Sequence, residues 1–225
     1  MSRPVVVLSK DLSDSIRAGH PWIFDRALRG MPGNVRAGDE VDIEGQGRRL
    51  AVGFADPGSP IAVRVLEPDA GAEVGAAWAR QRGREAAALR VGDPRLAASD
   101  GVRVIHGEGD YLPGLVIDVY AGHAVVVFDG AGAAAFWSAR LEAVLAGIED
   151  AGVALLSATA RVRSRGPRQS EVVHGVTPPD TIIIEENAAR FEVDLVKGQK
   201  TGFFIDQRDN RALVRGLAAG ADVLN

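Results

Sequence analysis

The chain of 225 residues has no cysteine and only two tyrosines and two methionines. Without cysteine there are no disulfides, no thiolate metal ligands and no thiol nucleophile. A disulfide-free chain fits a cytoplasmic setting. No apolar run approaches the ~18 residues of a membrane span. The start, Met1-Ser2-Arg3-Pro4-Val5, carries one basic residue and a short apolar stretch, which does not read as a signal peptide. Nor is there an excess of positive charge. The net charge of −4 argues against nucleic-acid binding through the whole surface and leaves room only for local patches. What remains is the composition of an ordinary globular protein, 46% hydrophobic and 25% charged, long enough for one or two domains with a real core.

Residues 1–70 read as short strands with close turns, the pattern of a small barrel or sandwich. Val5 to Leu8, Glu40 to Ile43, Leu50 to Phe54 and Ile61 to Leu66 are its strands, with a helix predicted within Ser9 to Ala18 and ended by Gly19. Asp56-Pro57-Gly58-Ser59-Pro60 is an emphatic turn. From Pro68 to Gly75 the sequence turns small and acidic, marking a boundary. Beyond it the texture is mixed α and β: a helix over Ala76 to Arg90 with only Gly83 against it, strands at Val102 to Ile105, Leu115 to Tyr120 and Ala124 to Phe128, one helix over Ala133 to Gly147, and a strand at Ala154 to Thr159. Ile182 to Ile184 and Phe191 to Leu195 form a hairpin-like pair around Glu186-Asn187.

Five stretches can carry chemistry. Gly19-His20-Pro21-Trp22-Ile23-Phe24 holds His20 extended before a proline and offers His20 and Trp22 to an unpaired base, or Trp22 and Phe24 to a barrel core. His106 to Gly114 contains Glu108 and Asp110 without metal-ligand spacing, so a structural turn is the better reading and no metal site is expected. Arg161, Arg163, Arg165 and Arg168 form the densest basic cluster, and Arg80, Arg82, Arg84 and Arg90 a second; each is either a binding patch or a solvated face. The strongest signal is Val196 to Arg211, a glycine-punctuated loop feeding a charged helix. Asp206 is placed to cap that helix, with Ile205, Leu213, Val214 and Leu217 facing inward and Gly220 ending it before an apolar strand at Asp222 to Leu224.

Three of these stretches, in this order, carry a resemblance: Gly19 to Phe24, Gly107 to Tyr120 (GEGDYLPGLVIDVY), and Gly198 to Arg211 (GQKTGFFIDQRDNR). Together they resemble the bacterial class I S-adenosylmethionine-dependent ribosomal RNA methyltransferases that modify carbon 5 of cytosine in large-subunit RNA. The resemblance implies an α+β multi-domain chain: a PUA-like small β-barrel for RNA binding over 1–72, a central mixed α/β domain over 73–188, and over 189–225 the beginning of a Rossmann-like methyltransferase domain. It implies S-adenosylmethionine as cofactor, ribosomal RNA as partner and a homodimer. Phe204, Gln207 and Arg208 match the motif that borders the cofactor pocket. His20, Trp22, Arg161, Arg163 and Arg165 are the RNA-binding candidates.

The departures from that family matter as much. Its aromatic and glycine-rich cofactor loop, its ribose-binding acid and its catalytic cysteine are absent from these residues, and Ala188 stands where the family has glycine after Glu-Asn. The expectation is therefore an RNA-docking and central portion that breaks off ahead of its catalytic pocket and is inactive alone, with no catalytic residue of its own. The rivals are a self-contained RNA-binding module and a methyltransferase relative acting on another RNA base.

Overall fold

The computed structural model describes residues 3–163, 169–218 and 220–222. The elements run in chain order: β1 (Val5–Val7), α1 (Ser13–Arg17), β2 (Trp22–Phe24), β3 (Glu40–Gly45), β4 (Arg48–Ala55), β5 (Ile61–Glu67), α2 (Ala76–Val91), β6 (Gly101–His106), β7 (Leu115–Tyr120), β8 (His123–Phe128), α3 (Ala131–Ser138), α4 (Leu141–Asp150), β9 (Ser157–Val162), β10 (Glu171–Gly175), β11 (Thr181–Glu186), β12 (Ala189–Asp194) and α5 (Arg208–Leu217).

The N-terminal strands form a five-stranded sheet in the order β1-β3-β4-β5-β2. Its two edges approach at one end. Leu8 bridges Leu28, the Ser9 amide donates to Ala27 O at 2.8 Å and the Arg29 amide to Val7 O at 2.8 Å, so the sheet closes there into the expected small barrel. Val6, Ile23, Val41, Ile43 and Val63 fill it, all at or below 1% exposure.

The second sheet has the order β10-β9-β8-β7-β6, antiparallel except for the parallel pair β8–β9. That parallel pair requires a crossover, which α3 and α4 supply. The strands alternate between two buried faces, as period-2 side chains must. Ile117, Val119, Ala124, Val126 and Phe128 pack against α2, α3 and α4 in the largest core, which also takes in Val52, Phe54 and Leu66 of the barrel. Tyr120, Val125 and Val127 face the other way, where the β11–β12 hairpin covers them with Ile182, Ile184, Val193 and Leu195.

Several sequence expectations are corrected. The single helix over Ala133 to Gly147 is two, broken at Ala139–Arg140, where the Arg140 side chain turns to Val74 O at 2.8 Å and to Glu40. The strand at Ala154 to Thr159 begins later, at Ser157, and β10 was not foreseen. Asp206 does not cap α5; its carboxylate takes Lys200 Nζ at 2.7 and 2.6 Å instead, and a short 3-10 turn over Ile205–Gln207 leads into the helix. Of the predicted inward face only Ile205 is buried, while Leu213, Val214 and Leu217 are 63%, 53% and 76% exposed. The helix ends at Leu217, before Gly220. The predicted strand beyond it runs into residues 223–225, which with Arg165 and Arg168 lie outside the described residues.

The turn at Asn187-Ala188 keeps φ values of 51° and 62°. That is the two-residue hairpin pattern in which glycine normally stands second, so alanine holds this turn against its own steric preference.

Candidate functional site

The barrel and the second sheet meet at a chain of ion pairs. Arg64 on β5, 3% exposed, has its guanidinium on Glu108 Oε1 at 2.5 Å and on Asp129 Oδ2 at 3.1 Å. Glu108 also accepts from the Trp22 indole Nε1 at 2.8 Å, and Asp129 lies 3.4 Å from Arg163 Nε. Two RNA-binding candidates far apart in sequence, Trp22 and Arg163, thus stand at the two ends of one network. His20 is exposed, with its ring 6.3 Å from that of Trp22. The acidic turn is structural, as its spacing suggests: Asp110 takes both Arg90 guanidinium nitrogens at 2.6 and 2.8 Å. Among the described residues no group of acidic, histidine or cysteine side chains could hold a metal ion.

Three arginines of the second cluster, Arg80, Arg82 and Arg90, are likewise committed to ion pairs, while Arg84 is exposed. Arg80 is on Asp150 at 2.6 Å, and Arg82 is on Glu67 and Glu85.

Arg161 and Arg163 belong to a different setting. They are two residues apart at the end of β9, so their side chains leave the same face of the sheet. The register Arg161↔Val127↔Val116 runs across β9, β8 and β7 on that face. Arg103 from β6 and Lys200 from the following loop complete a cavity of ≈ 390 Å³. Behind its rim, Asp118, fully buried, takes Arg103 Nε and Nη2 at 2.8 and 3.0 Å and also accepts from Thr201 Oγ1, which bonds Tyr120 OH at 2.7 Å. Asp118 raises the Arg103 pKa, and burial raises that of the Tyr120 phenol, so both stay protonated.

The loop and helix at 198–217 place the three cofactor candidates in separate surroundings. Gln207 lines a groove of ≈ 740 Å³ between α5 and the β11–β12 hairpin, together with Asn187, Phe191, Asn210 and Arg211. Phe204 is half covered, with Lys200 Nζ 4.6 Å from its ring centre. Arg208 has its Nε 4.0 Å from Asp209 Oδ1 and adds a weak attraction to Asp93, whose carboxyl is held at about 2 mainly by hydrogen bonds from Arg95. The Arg208 Nε and Nη1 atoms are buried without a hydrogen-bond partner among the described residues.

Sequence reasoning missed the residue that holds this helix. Arg211 makes a two-pronged pair with Glu186 at 2.7 and 2.6 Å and stacks 4.4 Å over the Phe203 ring. Glu186, 3% exposed, shares a strand face with Ile182 and Ile184, so the period-2 pattern of β11 was the available signal.

A family model described as a PUA-like domain matches residues 6–68. A ribosomal RNA large subunit methyltransferase of Deinococcus radiodurans is 36% identical over 97% of this chain, which covers 55% of that protein. A ribosomal RNA large subunit methyltransferase I of Aliivibrio fischeri is 34% identical over 98% of this chain, covering 56% of it. The chain therefore spans about half the length of the curated relatives it matches. Among solved structures, a Streptococcus mutans chain provisionally described as a SAM-dependent methyltransferase superposes with a TM-score of 0.75 at 18% identity, over 96% of this chain and 55% of that one. SMU.776, a provisionally described methyltransferase complexed with SAH, gives 0.76 at 18% identity, over 98% and 55%. At these identities the two structures speak to the fold alone.

Proposed function

We propose that these residues are the RNA-docking and central portion of an S-adenosylmethionine-dependent methyltransferase acting on cytosine carbon 5 of large-subunit ribosomal RNA in the cytoplasm. The observation that carries this reading is the similarity to the Deinococcus protein over nearly the whole chain. The barrel over 1–72 docks RNA, the α/β unit over 73–188 carries the second sheet, and 189–225 begins the cofactor-binding domain.

Within that reading the three candidates, though set in separate surroundings, each offer a group to the cofactor's border. Arg208 has two buried donors without a hydrogen bond among the described residues, Nη1 and Nε, the latter 4.0 Å from Asp209, Gln207 offers an amide in the groove beside α5, and Phe204 gives an apolar wall. S-adenosylmethionine supplies a methyl group activated on a sulfonium. Carbon 5 of cytosine is a weak nucleophile, and adding a thiolate to the neighbouring ring carbon is what makes it reactive. None of these residues is a cysteine, so the thiolate comes from outside them. Their own work is to bind and orient RNA and to border the pocket.

The test is to incubate this polypeptide with labelled S-adenosylmethionine and ribosomal RNA. RNA binding without methyl transfer is expected. Methyl transfer by these residues alone, or no RNA binding, overturns the reading.

A further inference from the structure

We infer that the cavity lined by Arg103, Arg161, Arg163 and Lys200 is a seat for one nucleotide of single-stranded RNA, holding its phosphate at the cationic rim and its sugar or base face on Val116 and Val127. This rests on the proposed RNA-docking role and names the subsite. The chain carries a net charge of −4, yet this cavity is lined by four cations, three valines and a threonine, with no acid. Three of the cations have carboxylate partners outside the lining: buried Asp118 fixes Arg103, while the more exposed Asp206 and Asp129 pair with Lys200 and Arg163. Arg103, Lys200 and Arg163 are thus pre-oriented at little entropic cost, and the N–H groups that Lys200 and Arg163 keep outside these pairs suit a phosphate.

The valine floor argues for a nucleotide over a bare anion, because an apolar base or sugar face can cover it. Two further features favour RNA. The Arg64 network ties this cavity to Trp22 beside exposed His20, extending the track onto the barrel. One wall is the 198–201 loop itself, through Lys200 and the Arg161 Nη2 donation to Lys200 O at 2.6 Å. A nucleotide seated here therefore touches the segment that leads to the cofactor candidates.

The experiment measures binding of a labelled single-stranded ribosomal RNA oligonucleotide across a salt series. It compares the intact chain, Arg163→Gln/Lys200→Gln, and the equally neutralised control Arg84→Gln/Arg95→Gln, two exposed arginines outside both the barrel and the cavity. The pocket variant is expected to bind about tenfold more weakly, with a salt slope shallower by roughly 0.7 for each phosphate it no longer neutralises. Hydrogen exchange over 198–206 is expected to slow when RNA binds the intact chain. If the intact chain binds RNA but the pocket variant matches the control, or exchange over 198–206 does not change, the inference falls and the docking role stands. Displacement by polyglutamate of equal charge as readily as by unlabelled RNA overturns it too. If the intact chain does not bind RNA, both fall.

Discussion

The Trp22 indole donates to Glu108 Oε1 at 2.8 Å, joining the barrel to the turn that precedes β7. Both residues lie in short motifs singled out in the sequence, and the contact explains why an aromatic and a carboxylate are wanted there. Glu108 also balances Arg64, which is nearly buried. Glu108→Gln keeps the shape and removes that charge, so it is expected to cost about 3 kcal/mol. Trp22→Phe loses one hydrogen bond to a charged group, about 1.5–3 kcal/mol. Urea denaturation of both and of the double variant checks this. A coupling of about 1 kcal/mol is expected, and additive effects would show the contact to be energetically idle.

Gly83 and Gly147 set how closely α2 and α4 cross. A Cβ on Gly83 would lie 2.5 Å from Val144 O, and one on Gly147 would overlap Arg80 O. Helix propensity alone favours alanine at both by about 1 kcal/mol. The crossing reverses the sign: Gly147→Ala is expected to destabilise by about 1–3 kcal/mol, because backbone on the facing helix must move. A raised thermal midpoint in Gly147→Ala would mean that the helices are not this close.

His123 Nδ1 lies 2.9 Å from the hydroxyl of Ser157, which is fully buried, and burial lowers the imidazole pKa below its ordinary 6.5. The unfolded chain then binds a proton that the folded chain resists. Stability contributed here is complete above 6.5, declines as pH falls from 6.5 toward the folded value, and levels off below it. Urea midpoints are expected to fall from about pH 7 to about pH 5, and His123→Asn to flatten that part of the profile. An unchanged slope in His123→Asn would assign the decline to other groups.

Strands were the legible part of this fold. Leu115 to Tyr120 and Ala124 to Phe128 are buried on both faces and apolar but for Asp118, because helices cover one side and the hairpin the other, and such runs announce themselves. The helix break at Ala139–Arg140 was hidden in an alanine-rich stretch, since what turns the chain there is Arg140 reaching Glu40 in the distant barrel and Val74 just beyond it. β10 is an exposed edge with Val172 and Val173 half open to solvent, so its pattern lacked a buried side. At the candidate site the alternation of Arg161 and Arg163 was readable. Their joining with Arg103 and Lys200 was not, because it depends on four neighbouring strands and a loop folded over them.

The same limit explains α5, whose apolar residues were expected to dock it. No residue of this helix is buried, so its seat on the hairpin depends on Arg211 gripping Glu186, with Arg215 adding a bond to Asn187 O at 2.6 Å. Arg211→Ala would leave the buried Glu186 carboxylate unpaired and is expected to lower the local opening free energy of 208–217 by about 3 kcal/mol, read as faster amide exchange there. Arg211→Lys cannot reproduce the two-pronged geometry and should recover only part of the loss. Pairing Arg211→Met with Glu186→Leu removes both charges from a strand face that already carries Ile182 and Ile184. Exchange in α5 should then return close to that of the unaltered chain. If it stays as fast as in Arg211→Ala, the guanidinium does more than neutralise Glu186, and its bond to Phe204 O at 2.8 Å is what holds the loop and the helix together.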